Sequence, residues 1–222
     1  MLEEFLGKGA IERAWRRPLF LSKVKTVPKN NGKLRLILDL SRINLYLKKI
    51  SFKMPSIREM RLSIPSGSWI AKVDLLDAYL HVPVAKHFRR YLASMWGWKA
   101  FQFSAVPIGL SLAPAIFTGI MNHPLKVVRG KRVHAVVYLD DWLVWATSFE
   151  ACRRALEVVL HTMKSLGFLI NGEKAQLRPS QRLVWLGAEW DSEPSEVGNL
   201  GGLQTCLGVH GQRYSVVRYQ QK

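Results

Sequence analysis

The sequence predicts an α+β domain in which helices cover one face of an antiparallel sheet. Three observations carry this. Two apolar strand pairs each close on a short polar bend, and a long amphipathic segment follows the second pair. In addition, 48% hydrophobic residues in 222 with a mean hydropathy near zero are enough to bury a core. A doubly wound sheet fits less well. No Gly-rich phosphate loop or dinucleotide fingerprint is present.

The first pair is Leu19 to Val27 and Leu34 to Leu40, flanking Pro28-Lys29-Asn30-Asn31-Gly32, where Asn-Gly supplies the positive backbone dihedrals of a tight turn. Leu34, Leu36, Leu38 and Leu40 alternate with Lys33, Arg35, Ile37 and Asp39, so one face is apolar and Lys33 and Arg35 share the other near the tip. Ser66-Gly67 marks a turn before a short strand, Trp69 to Asp74. Ser111 through Met121 reads as a helix with Pro114 in its first turn and Pro124 stopping it. Val133 to Tyr138 and Trp142 to Ala146 form the second pair around Leu139-Asp140-Asp141. Thr147 with Glu150 has the spacing of a capping box, and Leu156, Val159, Leu160, Met163 and Leu166 recur at helical period until Gly167. A final strand pair is expected at Phe168 to Ile170 and Leu183 to Trp190. Beyond Asp191, crowded glycines without periodicity predict a disordered or aberrant tail. The expected organisation is therefore 1–68, 69–191 and 192–222.

Net charge is +17, and the excess lies in the first 133 residues while 134–222 balance. Such segregation points to an anionic partner, nucleic acid first, rather than to a uniformly charged surface. Two cysteines, Cys152 and Cys206, make neither a disulfide framework nor a zinc site, and the acidic start Met1-Leu-Glu-Glu is unlike a leader. An intracellular protein, cytoplasmic or nuclear, is expected. Ala100 to Leu125 is uncharged but carries three prolines and several polar residues, so no membrane association is expected.

Asp74 ends an apolar strand, where an unpaired carboxylate is costly, and Asp140 and Asp141 repel each other between apolar runs. A divalent cation would compensate both. If the end of the Asp74 strand lies beside the Asp140 bend, three carboxylates meet in the arrangement used for two-metal nucleotidyl transfer. Asp-Asp alone is weak evidence, because aspartates are common turn formers.

Several motifs resemble one family. Tyr138-Leu139-Asp140-Asp141 resembles the Tyr-x-Asp-Asp box of reverse transcriptases, and Val73-Asp74-Leu75-Leu76-Asp77-Ala78-Tyr79 resembles their first catalytic motif. In order around them stand Gly32-Lys33-Leu34-Arg35, Asp39 to Asn44, Val106-Pro107-Ile108-Gly109-Leu110-Ser111-Leu112-Ala113-Pro114, and Trp185-Leu186-Gly187. Spellings such as Leu166-Gly-Phe-Leu-Ile-Asn look most like retrotransposon enzymes of the DIRS type, with gypsy-like elements next.

The resemblance implies a right-hand polymerase with fingers and palm, its thumb absent or incomplete in this chain. It implies RNA or DNA templates with a primer, and deoxynucleoside triphosphates as substrates. By position, Asp74, Asp140, Asp141 and the Leu75 carbonyl would hold two Mg²⁺ ions, with Mn²⁺ as a substitute. Lys33 (or Lys29) and Arg35 would clamp the triphosphate. Tyr79 would exclude a 2′-hydroxyl, Gly109 and Pro107 would shape the nucleotide loop, and Tyr138, Trp185, Leu186 and Gly187 would hold primer and template. Lys174 would protonate pyrophosphate. Each has a plainer alternative: hairpin charge for Lys33 and Arg35, a core aromatic for Tyr79, a strand end for Trp185 to Gly187, and a surface lysine for Lys174. Ile108 stands where many retroviral relatives have Gln. The rival readings are a decayed element fragment that binds nucleic acid without polymerising, and an RNA-dependent RNA polymerase with a similar palm.

Overall fold

The computed structural model describes residues 2–28, 34–54 and 56–193, with the backbone alone at 34 and 35. Lys29, Lys33 and residues 194–222 of the tail lie outside the described residues.

In chain order the elements are α1 (Leu2–Gly7), β1 (Ile11–Arg13), β2 (Val24–Pro28), β3 (Leu34–Leu38), α2 (Ser41–Asn44), α3 (Ile57–Leu62) and β4 (Trp69–Asp74). Next come β5 (Ala93–Trp96), β6 (Lys99–Phe103), α4 (Ala113–Gly130), β7 (His134–Tyr138), β8 (Asp141–Ala146), α5 (Phe149–Ser165), β9 (Gln176–Ser180), β10 (Arg182–Trp185) and β11 (Ala188–Asp191). All the strand ladders are antiparallel, and the central sheet has the order β7-β8-β4-β9.

Period-two alternation gives that sheet two apolar faces. Ala71, Val73, Val137, Trp142 and Val144 point to one face, where Phe117, Met121 and Val128 of α4 and Leu156, Val159 and Met163 of α5 bury against them. Ile70, Val136, Leu143 and Trp145 point to the other face. It is covered by Met60 of α3, by Ile64 and by Leu183, Trp185 and Trp190 of the β10–β11 hairpin. The two long helices thus share one face, as the sequence predicts. The Lys72 Nζ donates to the Val184 carbonyl at 2.8 Å, tying the hairpin to the sheet without burying the amine alone. Pro179, which has no N–H to donate, sits in edge strand β9 where the register with β4 slips.

A second body forms around Leu36, Leu38 and Leu40, the alternating leucines of the first hairpin. They pack with Ile11, Ile43, Leu92 and Phe103. Here β1 and the unanticipated β5–β6 hairpin make a three-stranded sheet in the order β1-β6-β5.

Four local expectations are corrected. Pro124 lies inside α4 and does not stop it: losing one backbone bond is offset because Pro124 is itself buried and Leu125 and Val128 beyond it pack into the core on the sheet. The cap of α5 is Ser148, whose Oγ accepts from the Ala151 N–H at 3.2 Å, because β8 pairing carries the strand through Ala146 and leaves Thr147 as the link. The reciprocal box of Ser56 and Glu59 instead opens α3. Leu183 to Trp190 is two strands, since Leu186 and Gly187 both adopt positive φ (51° and 75°), the signature of a two-residue hairpin turn. Phe168 to Ile170 makes a single bridge, Ile170 to Leu75. Among the described residues no helix is long and apolar enough to cross a membrane.

Trp142 is fully buried between β8 and the two long helices. Replacing it with alanine is expected to cost about 3–5 kcal/mol of folding stability, read as a lower urea midpoint with an unchanged slope.

Candidate active site

The site grows from the C-terminal end of β4. Ile70, Ala71 and Val73 are fully buried, and the strand they anchor delivers Asp74, only 6% exposed, directly opposite Asp141 of β8. Directly opposed residues share a sheet face, so the two carboxyl groups meet. Tyr138 and Asp141 close the β7–β8 hairpin over a two-residue turn, Leu139-Asp140, in which Leu139 holds φ at +56°. A branched side chain at positive φ is strained, and the strain is held by a backbone bond: the Leu75 N–H donates to the Asp140 carbonyl at 3.1 Å. The Asp140 turn is thereby pinned to the strand that carries Asp74.

A buried carboxylate needs donors. Asn171 supplies one, its Nδ2 donating to Asp74 Oδ1 at 2.8 Å while its own N–H donates to the Asp74 carbonyl at 2.8 Å. Lys174 adds charge from the same turn, with Nζ 3.9 Å from Asp74 Oδ2, although it is mostly exposed. Asp141 is pushed up to about 7, first by burial, then by the charges of Asp140 and Asp74 and by a hydrogen bond to Asp74, with Lys174 acting the other way. Three aspartates thus sit in one electrostatic neighbourhood. Among the described residues, no group of three His, Cys, Asp or Glu side chains is gathered in a geometry that would hold a metal ion. Asp74 and Asp141 are in contact, and Asp140 approaches them through its charge and its backbone. Opposed hard oxygen donors drawn out of water fit a divalent cation, whose charge would offset their burial.

The other candidates fall around this point unevenly. After β4 the chain passes Asp77, at φ +50° and held by Lys8 Nζ at 2.9 Å, into a single 3₁₀ turn, Ala78–His81. Tyr79 in that turn packs edge-on against Phe117 with ring centres 5.4 Å apart. Its hydroxyl is pushed up to about 12 by burial, Asp140 and Tyr138, so it stays neutral beside the carboxylates. Gly109, at φ +106°, lies so close to β3 that an added Cβ would stand 2.7 Å from the Leu38 carbonyl oxygen. Asn44 clamps the same loop, donating to the Gly109 carbonyl at 2.9 Å and accepting from the Ser111 N–H at 2.9 Å. Tyr138 packs against the cluster on the hairpin-covered face. The Trp185 indole is 1% exposed and meets Trp190, whose Nε1 donates to the Trp185 carbonyl at 3.0 Å; only the Leu186-Gly187 turn is left to reach outward. Arg35 pairs with Val27 in the first hairpin.

Asn171, Asn44 and the Lys8–Asp77 pair were not candidates from sequence. For Asn171 the available signal was an amide directly after the apolar Phe168 to Ile170, a position that matters only once Ile170 bridges to Leu75.

Two substitutions test this construction. Asn171→Ala leaves a buried Asp74 oxygen short of a donor and is expected to cost about 1–3 kcal/mol in urea unfolding. Gly109→Ala forces apart backbone that cannot yield and should cost about 1–3 kcal/mol, whereas Gly119→Ala, with open space around it, should not lower the midpoint.

The reverse transcriptase (RNA-dependent DNA polymerase) family profile matches residues 27–190. The transposon Tf2-3 and Tf2-4 polyproteins of Schizosaccharomyces pombe are each 31% identical to this chain over 158 residues, covering 71% of it and 12% of their own length. The fold matches that of the foamy viral protease-reverse transcriptase solved with double-stranded DNA, at a TM-score of 0.77 and 21% identity, covering 86% of this chain and 32% of that one. It also matches the native prototype foamy virus protease-reverse transcriptase, at a TM-score of 0.74 and 19% identity, covering 87% and 25%. With a family match over most of its length and the fold and carboxylate strands to go with it, this chain belongs to the reverse transcriptase family.

Proposed function

We propose that the chain is the fingers and palm of a retrotransposon reverse transcriptase, adding deoxynucleotides to a primer along an RNA or DNA template. The observation that carries this is the register pair Asp74–Asp141, locked beside the Asp140 turn. The motif spellings support a DIRS-type element, with a gypsy-like one next. Work within the cell, in cytoplasm or nucleus, follows from that reading. Related foamy viral enzymes have been solved with double-stranded DNA and with an RNA/DNA hybrid, which supports a duplex partner here.

Asp74, Asp140 and Asp141, with the Leu75 carbonyl, would hold two Mg²⁺ ions, or Mn²⁺ in their place. When bound, such ions lower the charge cost of an attacking 3′-hydroxyl and of departing pyrophosphate. The remaining steps belong to the protein. Asn171 would keep the Asp74 carboxylate from rotating away, and Lys174, on the same turn, would give a proton to the leaving group. Tyr79, wedged on Phe117, would present a ring face that leaves no room for a 2′-hydroxyl. Lys33 and Arg35 would bind the triphosphate, Arg through its planar fork. The Gly109 loop, clamped by Asn44, would shape the nucleotide floor. Because the Trp185 indole is buried, primer contact at that motif would come from the exposed side of the Leu186-Gly187 turn, whose Leu186 packs on the same cluster as Tyr138.

Primer extension with deoxynucleotides on an RNA template tests the reading. Asp141→Asn is expected to lower the extension rate by more than about 100-fold, since loss even of a group supporting a metal ligand costs 10–100-fold, while duplex affinity changes little. Duplex binding by the parent chain with no extension at any Mg²⁺ or Mn²⁺ concentration would favour the decayed-fragment reading.

A further inference from the structure

The most exposed large hydrophobic side chain among the described residues lies away from the carboxylates. The β5–β6 hairpin turns at Gly97-Trp98, with Trp96 paired to Lys99, and Gly97 takes φ +56° as a two-residue turn requires. Trp98 at this tip is 98% exposed. A second indole stands near it. The Ala14 N–H donates to the Ala100 carbonyl at 2.9 Å, continuing the β1–β6 ladder, so the bend at Trp15-Arg16 comes level with Lys99. Trp15 is 54% exposed and already carries the Arg16 guanidinium over its ring at 4.5 Å. The chain then runs to the opposite end of β5, where the Leu19 and Phe20 N–H groups donate to the Arg90 carbonyl and that of Ser22 to the Ala93 carbonyl.

The charge around these two rings has one sign. Arg13, Arg16, Arg17 and Lys99 belong to the segments that meet here, and no Asp or Glu occurs anywhere in 78–139. The nearest acid, Glu12, is taken: Arg89 and Gln102 donate to its two oxygens at 2.9 and 2.7 Å. Flat aromatic faces set among unneutralised cations suit unpaired nucleobases joined by phosphates. A protein partner fits less well, since interface cores disfavour lysine and this rim offers cations alone.

We propose that the tip of the β5–β6 hairpin is a second nucleic-acid site, in which Trp98 stacks on one unpaired base and Arg16, Arg17 and Lys99 take the flanking phosphates. The inference rests on the polymerase reading only in naming the ligand as a single-stranded template segment. Stacking supplies sequence-independent grip, and the cations make it salt-dependent.

Fluorescence anisotropy of a labelled, short single-stranded oligonucleotide, titrated with the full chain, tests it. Trp98→Ala is expected to weaken binding about tenfold and Trp98→Phe to recover most of it, with both variants melting as the parent does because the side chain contributes nothing to the core. Lys99→Ala should flatten the plot of log affinity against log salt by about 0.7. Affinity of Trp98→Ala within about twofold of the parent would overturn the proposal. So would sedimentation showing that Trp98→Ala abolishes self-association while leaving oligonucleotide affinity intact, which would give the patch to a second copy of the chain. A parent chain that fails to extend primers defeats the polymerase reading and leaves the stacking result standing.

Discussion

The architecture depends on burying carboxylates at the end of an apolar strand. Asp74 cannot be withdrawn from water alone, and its environment divides the compensation among the Asn171 amide, the Lys174 ammonium and a hydrogen bond with Asp141. These partners come from two other parts of the chain. β8 brings Asp141, the turn after Ile170 brings Asn171 and Lys174, and the Leu75 N–H fixes the intervening Asp140 turn. The acidic centre is therefore as much a tertiary joint as a site of chemistry.

The sheet that carries the joint is buried on both faces, which removes freedom from its register. A one-residue slip between β4 and β8 would exchange the helix-facing set around Val73 and Trp142 with the hairpin-facing set around Ile70 and Leu143. Since both sets are packed, the slip would cost on both sides, and the Asp74–Asp141 alignment is held by hydrophobic packing far from the carboxylates. Besides the Lys8–Asp77 pair, the second body is joined to this one at a crowded point. There the Gly109 loop lies against the Leu38 carbonyl and Asn44 bonds both sides of it. Glycine is required because backbone, not a movable side chain, occupies the place of a Cβ.

Much of this is legible in the sequence wherever local pattern and burial agree. Leu36, Leu38 and Leu40 alternate and all three are buried; Trp69 to Asp74 is a strand with the boundaries its apolar run suggests; and the period of Leu156, Val159 and Met163 marks the buried face of α5. Where long-range packing outweighs a local signal, reading by pattern fails. Pro124 ordinarily ends a helix, but the sheet buries Leu125 and Val128 beyond it and the helix continues. Leu183 to Trp190 is apolar enough for one strand, but two aromatic residues, Trp185 and Trp190, must reach the same core, and a turn of two left-handed residues lets them. The β5–β6 hairpin gives little local warning, since its partner β1 is some ninety residues away in sequence.

The amino-acid sequence by itself determined the family, the α+β class and which aspartates mattered, because those rest on residue types in a fixed order and on the cost of placing charge at the end of an apolar strand. Only the tertiary structure decided that Asn171 serves Asp74, that the Trp185 indole is core while Trp98 stands in solvent, and that Gly109 touches β3. Hydrogen-bond partners, exposure and close backbone approach are relations between distant segments, and no periodicity along one segment encodes which other segment will lie against it.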